Sequence, residues 1–283
     1  MTNETRTVRP SPIAGTWYSD NPRQLRDTVD GYLEKADIPS LPGEVVALVA
    51  PHAGYRYSGT VAGHAFKTVK GKSFPHVIVI SPMHQYHHQP ILTSAHRAYQ
   101  TPLGEVPLAD EMISKISNRL RQKIDQPLSP VANDQEHSLE IELPFLQQAL
   151  QGRFELIPIM LRDQSRQVAR ALGEVLADTI RGKDALIVAS SDLSHFYSES
   201  EANQLDNHVL NALMDFSPEV LFDLKDQGIG QACGLAAIAT ALWASRAVGA
   251  DQVTLLSYDT SASSTGDSSS VVGYAAAAVT RPG

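Results

Sequence analysis

The sequence predicts a single-domain, layered α/β sandwich with a mixed, largely parallel central sheet. Short apolar runs, typical of strands covered on both faces, occur at residues 45–50, 77–80 and 185–189. Segments with helical spacing separate these runs, and the alternation continues along the chain. Because no internal repeat or shift in composition marks a boundary, residues 1–283 are predicted to form one domain.

The N-terminal arm, residues 1–18, is predicted to be irregular. Two prolines and Gly15 interrupt any regular pattern before the aromatic pair Trp17 and Tyr18, which either anchors the arm or lines a pocket. A helix then begins at Asn21, because an asparagine followed by proline is a typical start signal.

The first two apolar strands end in the same way, in a proline followed by a histidine. The first runs into Pro51 and His52, and the second into Pro82 and His84. Proline lacks the N–H group that would continue a ladder, so each histidine is left at the carboxyl end of its strand. Open α/β sheets bind ligands at this edge, and a helix predicted over residues 60–69 connects the two strands.

Two further prolines are predicted to disturb elements in the middle of the chain. His137 and Glu140 share a helical face at a spacing of three residues, and Pro144 is expected to kink that helix. Residues 154–161 read as a strand whose internal Pro158 predicts an edge or bulge position.

The third apolar strand is followed by Asp192 and His195, so it too delivers polar groups beyond its end. A helix at 235–247 places Cys233 at its N-terminus, where the helix dipole is expected to lower the pKa of the thiol. The Ser-rich residues 261–270 predict a flexible loop. Other predicted elements are helices at 108–120, 168–180, 205–213 and 218–226, and strands at 91–93, 253–257 and 271–279.

Composition excludes several classes of protein. The net charge is −8 and no run of Lys or Arg occurs, so nucleic acid is not an expected partner. The polar start lacks a signal core, and the small apolar stretch at 235–244 is too short to span a bilayer. A single cysteine excludes an internal disulfide and fits a reducing compartment. We therefore expect a cytoplasmic protein without a membrane partner.

Histidines and one cysteine are the candidates for metal chemistry. His52 and His84, each after a proline-terminated strand, predict a site that an anionic third ligand would complete. Cys233 is interpreted as a ligand or a nucleophile, with a small core residue as the alternative. Asp192 and His195 are either acid/base and orienting groups or a surface helix cap with its neighbour.

The remaining candidates have simpler interpretations from the residues alone. His137 and Glu140 make a helix-surface pair, worth a few tenths of a kcal/mol. Tyr55 and Tyr57 are interpreted as packing aromatics.

Together these motifs resemble the Memo-like proteins, which include the B component of the AmmeMemoRadiSam gene set. The resemblance implies the fold of the class III extradiol dioxygenases and a pocket in which His52, His84 and Cys233 are the metal ligands. The matching segments are residues 14–18, 50–55, 81–84, 99–103, 134–144, 190–195, 232–234 and 269–275.

Cys233 is the departure from those dioxygenases, which bind Fe(II) with two histidines and a glutamate. A thiolate is softer, so Fe(II) or copper is expected and zinc is an alternative. The leading hypothesis is a metal-dependent, dioxygenase-like enzyme, in which His195 and His137 transfer protons and Asp192 orients His195. The substrate would be an electron-rich hydroxylated aromatic that chelates the metal beside oxygen.

Two alternatives use the same residues differently. In the first, the pocket receives a peptide or a radical-enzyme partner without turnover, as for the eukaryotic Memo proteins described as signalling adaptors. Tyr55, Tyr57 and Trp17 would then bind the ligand. In the second, Cys233 is the nucleophile of a hydrolase that uses His195 as its base.

Overall fold

A computed structural model describes residues 8–283. The polar start and the first part of the predicted 1–18 arm lie outside the described residues. Within that range the strands are β1 (Val8–Arg9), β2 (Glu44–Ala50), β3 (His76–Pro82), β4 (Ile91–Ser94), β5 (Ala98–Thr101), β6 (Gly104–Pro107), β7 (Ser129–Val131), β8 (Glu155–Leu161), β9 (Ala185–Ser190), β10 (His195–Tyr197), β11 (Gln252–Thr260) and β12 (Val271–Arg281).

Helices separate most of these strands, and no helix within residues 8–283 is long and apolar enough to cross a membrane. A single 3-10 turn, Glu140–Glu142, precedes α4. The helices are α1 (Pro22–Lys35), α2 (Tyr55–Lys67), α3 (Asp110–Ile124), α4 (Leu143–Ala149), α5 (Arg166–Ile180), α6 (Glu199–Met214), α7 (Pro218–Asp226), α8 (Leu235–Ala247) and α9 (Ala262–Thr265).

The main sheet has a parallel centre and antiparallel flanks, which confirms the predicted mixed α/β class. Its central strands lie in the order β2-β9-β3-β8, all parallel to their neighbours. On one side β12 pairs antiparallel with β2, and on the other β4 pairs antiparallel with β8. A small second sheet, β1-β5-β6, connects the N-terminal arm to the domain.

Helices cover both faces of this sheet because its strands are apolar on both sides. In β9, Ile187 and Ala189 face one core, whereas Leu186 and Val188 face the other. The first core packs against α3, α5 and α8, and the second against α1, α2 and α4. Burying each Val, Leu or Ile side chain contributes about 1.5–3 kcal/mol, so the strands are held by two cores at once.

Three parallel strands end side by side at one edge of the sheet. Ala50 at the end of β2 pairs with Ser190 at the end of β9, and Ile80 near the end of β3 pairs with Ala189. The residues that follow these strands, including His52, therefore meet at the carboxyl edge, as expected from their sequence positions.

Pro158 lies inside the sheet and not at an edge, contrary to the prediction, since β8 is flanked by β3 and β4. The structure tolerates it because β4 pairs only with the end of β8, at Met160 and Leu161. On that side the Pro158 carbonyl accepts a hydrogen bond from the Thr93 hydroxyl at 2.8 Å. The missing N–H group therefore removes no ladder bond.

The prediction of a kinked helix through His137 and Pro144 is also wrong, because a 3-10 turn and the separate helix α4 occupy this segment. The 3-10 turn ends where α4 begins, and Pro144 occupies the first turn of α4, where its missing N–H costs nothing. Glu140 consequently does not share a surface face with His137. It is buried and paired with Arg9 of the N-terminal arm, at 2.5 Å between Oε2 and Nη1.

The Ser-rich segment 261–270 contains the short helix α9, which is capped by Gly266 at a φ of 74°. The Ser261 hydroxyl accepts a hydrogen bond from the backbone of Val272 at 3.0 Å. The segment thus lies against the start of β12.

Candidate metal centre

His52 is held from three directions in a buried position beyond β2. Its backbone N–H donates to Asp192 Oδ1 at 2.7 Å, and its Nδ1 lies 2.9 Å from the Ser190 hydroxyl. Its Nε2 lies 3.0 Å from Cys233 Sγ. Burial, with the nearby histidines, puts the pKa of His52 well below its usual value, so the ring is neutral and able to act as a ligand.

His84 is oriented by the carboxylate of Glu136. Glu136 Oε2 accepts from the His84 backbone N–H at 2.6 Å, and Oε1 lies 2.9 Å from Nδ1. Although burial opposes both charges, this pairing raises the pKa of His84 and lowers that of Glu136. Because Nδ1 is engaged, Nε2 is the nitrogen left to bind a metal.

Cys233 occupies the loop before α8, as predicted. The backbone N–H of Asp192 donates to its Sγ at 3.2 Å, and its own N–H donates to the Asp192 carbonyl at 3.1 Å. Gln164 bridges the loop to the helix by donating to the Cys233 carbonyl at 2.9 Å and accepting from Ala236 N–H at 3.1 Å.

The pKa of the Cys233 thiol is raised, not lowered as predicted. Burial has the largest effect, and the negative charge of Asp192 adds to it. These two effects outweigh the hydrogen bonds that Sγ receives from the backbone N–H groups of Asp192 and Gly234 and from the Ser191 hydroxyl. A thiolate here therefore needs a cation beside it, and a bound metal ion would supply that charge.

The donor set fits a transition metal. Ligand atoms of His52, His84 and Cys233 all lie within 4.8 Å of one another. Two imidazole nitrogens and one sulfur suit iron, copper or zinc better than calcium or magnesium, which prefer oxygen ligands.

A second group, His84, Glu136 and His137, also lies within 4.8 Å. In this group Glu136 Oε1 already accepts from the backbone N–H groups of His137 and Ser138, each at 3.0 Å, in addition to its contact with His84. Glu136 therefore orients His84, and we do not count it among the candidate ligands.

A cavity of about 560 Å³ opens beside these residues. It brings together seven residues that the sequence singled out, whereas Cys233 contacts His52 and is not part of the cavity wall. The seven residues are Trp17, His52, Tyr57, His84, His137, Asp192 and His195.

Among the predicted ligand-binding aromatics, Trp17 and Tyr57 line the cavity but Tyr55 does not. The rings of Trp17 and His137 lie 4.1 Å apart, and Tyr57 is 42% exposed. Tyr55 is buried, and its hydroxyl donates to the Ile141 carbonyl at 2.8 Å. Helix α2 begins at Tyr55, earlier than predicted, and the Tyr55 side chain belongs to the core that packs against α1, α2 and α4.

The three predicted catalytic residues, His137, Asp192 and His195, all line the cavity. Burial lowers the pKa of His137 to about 4 and also lowers that of His195. Burial raises the pKa of Asp192 to about 7. Asp192 was predicted to orient His195, but its carboxylate accepts from the backbone N–H of His52. The group that contacts His195 Nδ1 is the Leu193 carbonyl, at 2.8 Å.

Sequence reasoning missed three residues near this site. Glu136 and Ser190 contact the two histidines, and an acidic residue directly before His137 was the available signal for the first. Phe196 lines the cavity, is 77% exposed and has a φ of 65°. A left-handed backbone at a bulky residue is rare and costs about 1–2 kcal/mol, so no sequence pattern predicts it.

Comparison with known proteins shows the family to which this chain belongs. The family profile described as "Memo-like protein" matches residues 9–278. A MEMO1 family protein of Nitrosopumilus maritimus is 31% identical over 274 residues, covering 95% of this chain and 98% of its own. One from Methanosarcina mazei is 32% identical (95% and 98% covered), and one from Aquifex aeolicus is 32% identical (94% and 97% covered). The match spans the three strand ends and the cysteine loop alike, and the chain therefore belongs to the Memo-like family.

Proposed function

We propose that this protein is a metal-dependent oxidoreductase of the dioxygenase-like type, acting on a small molecule in the cavity. The observation that carries the proposal is the convergence of His52, His84 and Cys233 beside the cavity, with a second ring nitrogen of each histidine and the backbone N–H of Cys233 already held. Such outer contacts keep ligands in place before a metal binds.

Fe(II) or copper is the expected metal, with zinc as the alternative, and these three residues would hold it. When bound, the metal supplies a Lewis acid, and in the case of iron or copper also a redox-active centre, beside the substrate. The protein's own contribution is proton transfer. His195 has Nδ1 occupied by Leu193, which leaves Nε2 to exchange a proton with a ligand in the cavity. His137, held between Trp17 and His84, provides a second imidazole.

The cavity wall favours an uncharged aromatic substrate. Aromatic rings of Trp17, Tyr57, Phe196 and Tyr274 contribute to it. Within residues 8–283, no Lys or Arg side chain is part of the lining, so apart from the proposed metal ion an anionic substrate would have no counter-charge there. A small hydroxylated aromatic molecule, with hydroxyl groups for the metal and a ring for the wall, matches both features.

The test is metal content and oxygen uptake of protein purified without oxygen. We expect wild-type protein to retain about one equivalent of iron or copper and the His52→Ala/His84→Ala variant to retain far less. Oxygen uptake with a panel of catechols should require the retained metal. Equal metal content in the two proteins would overturn the proposal.

A second candidate is a binding protein that uses the cavity without turnover, for a peptide or for a radical-enzyme partner of the AmmeMemoRadiSam type. Exposed aromatic residues around the cavity, Tyr57 and Phe196, favour it, since aromatic side chains dominate binding hot spots. Pull-down of such a partner that survives loss of the metal ligands but not Tyr57→Ala/Phe196→Ala would support this function over the first.

A further inference from the structure

Glu142 is a buried acidic residue that the proposed chemistry does not use. It ends the 3-10 turn beneath the site, and its side chain is 1% exposed. Oε1 lies 2.7 Å from the Ser190 hydroxyl, which in turn lies 2.9 Å from His52 Nδ1. The carboxyl group is thus two contacts away from a proposed metal ligand.

The positions of hydrogen atoms follow from counting donors around Ser190. Its hydroxyl oxygen is 2.6 Å from the Ser138 carbonyl, in addition to its contacts with Glu142 and His52. A hydroxyl carries one hydrogen and can accept two more, and a carbonyl only accepts. The hydrogen of Ser190 must therefore point at Ser138, because two oxygen atoms at that distance need a hydrogen between them.

Both other neighbours must then donate to Ser190. Glu142 can donate only as a neutral carboxylic acid, and His52 only through an N–H at Nδ1. The opposite assignment, in which Ser190 donates to an ionised Glu142, leaves the Ser138 and Ser190 oxygens facing each other without a hydrogen.

We propose that Glu142 is a protonated positioning residue which, through Ser190, holds His52 in the tautomer whose Nε2 is free to bind metal. The consequence for the metal rests on the proposed function, whereas the protonation and the tautomer do not. The contact of Nε2 with Cys233 Sγ, at 3.0 Å, is the one expected of the unprotonated nitrogen facing the site.

The electrostatics of the site agree with this geometry. Burial raises the pKa of Glu142 well above its usual value, and the like charge of Asp192 adds to the effect. A carboxyl group kept neutral in an apolar setting can serve as a hydrogen-bond donor at neutral pH.

The first experiment uses metal-free protein at neutral pH. The infrared difference spectrum of wild type minus Glu142→Gln should contain the carbonyl stretch of a protonated carboxylic acid, and nitrogen NMR should show the proton of His52 on Nδ1. A carboxylate band in place of the acid band, or a proton on Nε2, would overturn the proposal. Neither readout depends on metal binding or turnover, so each can fail separately from the proposed function.

The second experiment compares Co²⁺ affinities by competition with a chromophoric chelator. A Gln side chain can donate through its amide as the neutral acid does, so Glu142→Gln should bind Co²⁺ about as tightly as wild type. Glu142→Leu, of similar size, and Ser190→Ala should lose about 10- to 100-fold in affinity. Thermal unfolding and circular dichroism check that each variant is folded. Equal weakening by Gln and Leu would show that the ionised form is needed and would refute the inference.

Discussion

Glu136 uses both oxygens of its carboxylate to hold His84, and it does so from a loop that also carries His137. Ser190 holds His52 in a similar way, because its hydroxyl lies 2.9 Å from His52 Nδ1. Each imidazole thus has one nitrogen engaged by the protein and the other directed to the site, which is the arrangement that raises ligand basicity in metalloproteins.

Removing the charge of Glu136 should weaken metal binding. We expect Glu136→Gln to lower Co²⁺ affinity about 10- to 100-fold, since the neutral amide orients His84 less strongly. Competition with a chelator measures the change, and Glu105→Gln, which alters an exposed glutamate, is the matched control. An affinity equal to that of the control would contradict this role for Glu136.

Asp206 allows a prediction on pH, away from the proposed ligands. Burial raises its pKa, while its carboxylate accepts from Ser194 N–H at 2.9 Å and from the Tyr258 hydroxyl at 2.8 Å. The folded state therefore binds this proton more tightly than the unfolded state does. Its stabilising contribution is complete below the usual pKa of 3.8 and is lost as pH rises through the folded pKa.

Asp206→Asn should remove this dependence. Relative to wild type, the melting temperature of the variant should rise steadily as pH is raised from below 3.8 to 7, as thermal unfolding at several pH values would measure. A difference that does not vary with pH would contradict the prediction.

At the scale of elements, the N-terminal arm is fastened to the segment that carries His137. Arg9 is 1% exposed and contacts Asp134 at 2.7 Å and Glu140 at 2.5 Å. Tyr18 also donates to Glu140, at 2.7 Å. Trp17 lies between these anchors and the cavity, so the arm is part of the cavity wall and not an appendage.

Arg9→Met should be strongly destabilising, because it leaves two buried carboxylates without their cation. A loss of about 3–5 kcal/mol in the free energy of unfolding is expected, measured with denaturant. Adding Glu140→Gln should recover part of that loss, since one uncompensated charge is removed. A loss below about 1 kcal/mol for Arg9→Met would mean that the network contributes little.

Local sequence patterns were enough to predict the elements that depend only on neighbouring residues in the chain. Apolar runs predicted β2, β3 and β9, and a proline after two of them predicted where His52 and His84 would emerge. The roles of Pro144 and Pro158 were mispredicted because each depends on a partner. Pro158 is tolerated by the short ladder of β4, and Pro144 by the turn that precedes α4.

For the whole molecule, the sequence singled out His52, His84 and Cys233, which the fold brings together, but not the contacts that hold them in place. Parallel strands bring their carboxyl ends to one edge, so polar residues after them could be expected to meet. The contacts of Glu136 and Glu142 require the segment before α4 to fold against β3 and β9, and no periodicity encodes that packing. The raised pKa of Cys233 was missed for the same reason, because burial is a tertiary property.

Metal binding should stabilise the whole domain, since the ligand set exists only in the folded state. Zn²⁺ at about 100 times its dissociation constant should add about 2.7 kcal/mol to the free energy of unfolding. Thermal unfolding with and without Zn²⁺ measures this effect, and Cys233→Ser should reduce it. A wild-type protein whose melting temperature does not change with Zn²⁺ would contradict the assignment of the site.

His52 and Cys233 touch although they are 181 residues apart in the chain. During synthesis the ribosome releases both histidine-bearing strands well before the cysteine loop, so a nascent chain has only part of the donor set. The donor set of the proposed metal site is therefore complete only after Cys233 has been synthesised and has packed against His52. If the proposed site binds metal, chains shortened before Cys233 would lack its thiolate, and metal retention would distinguish complete domains from truncated ones.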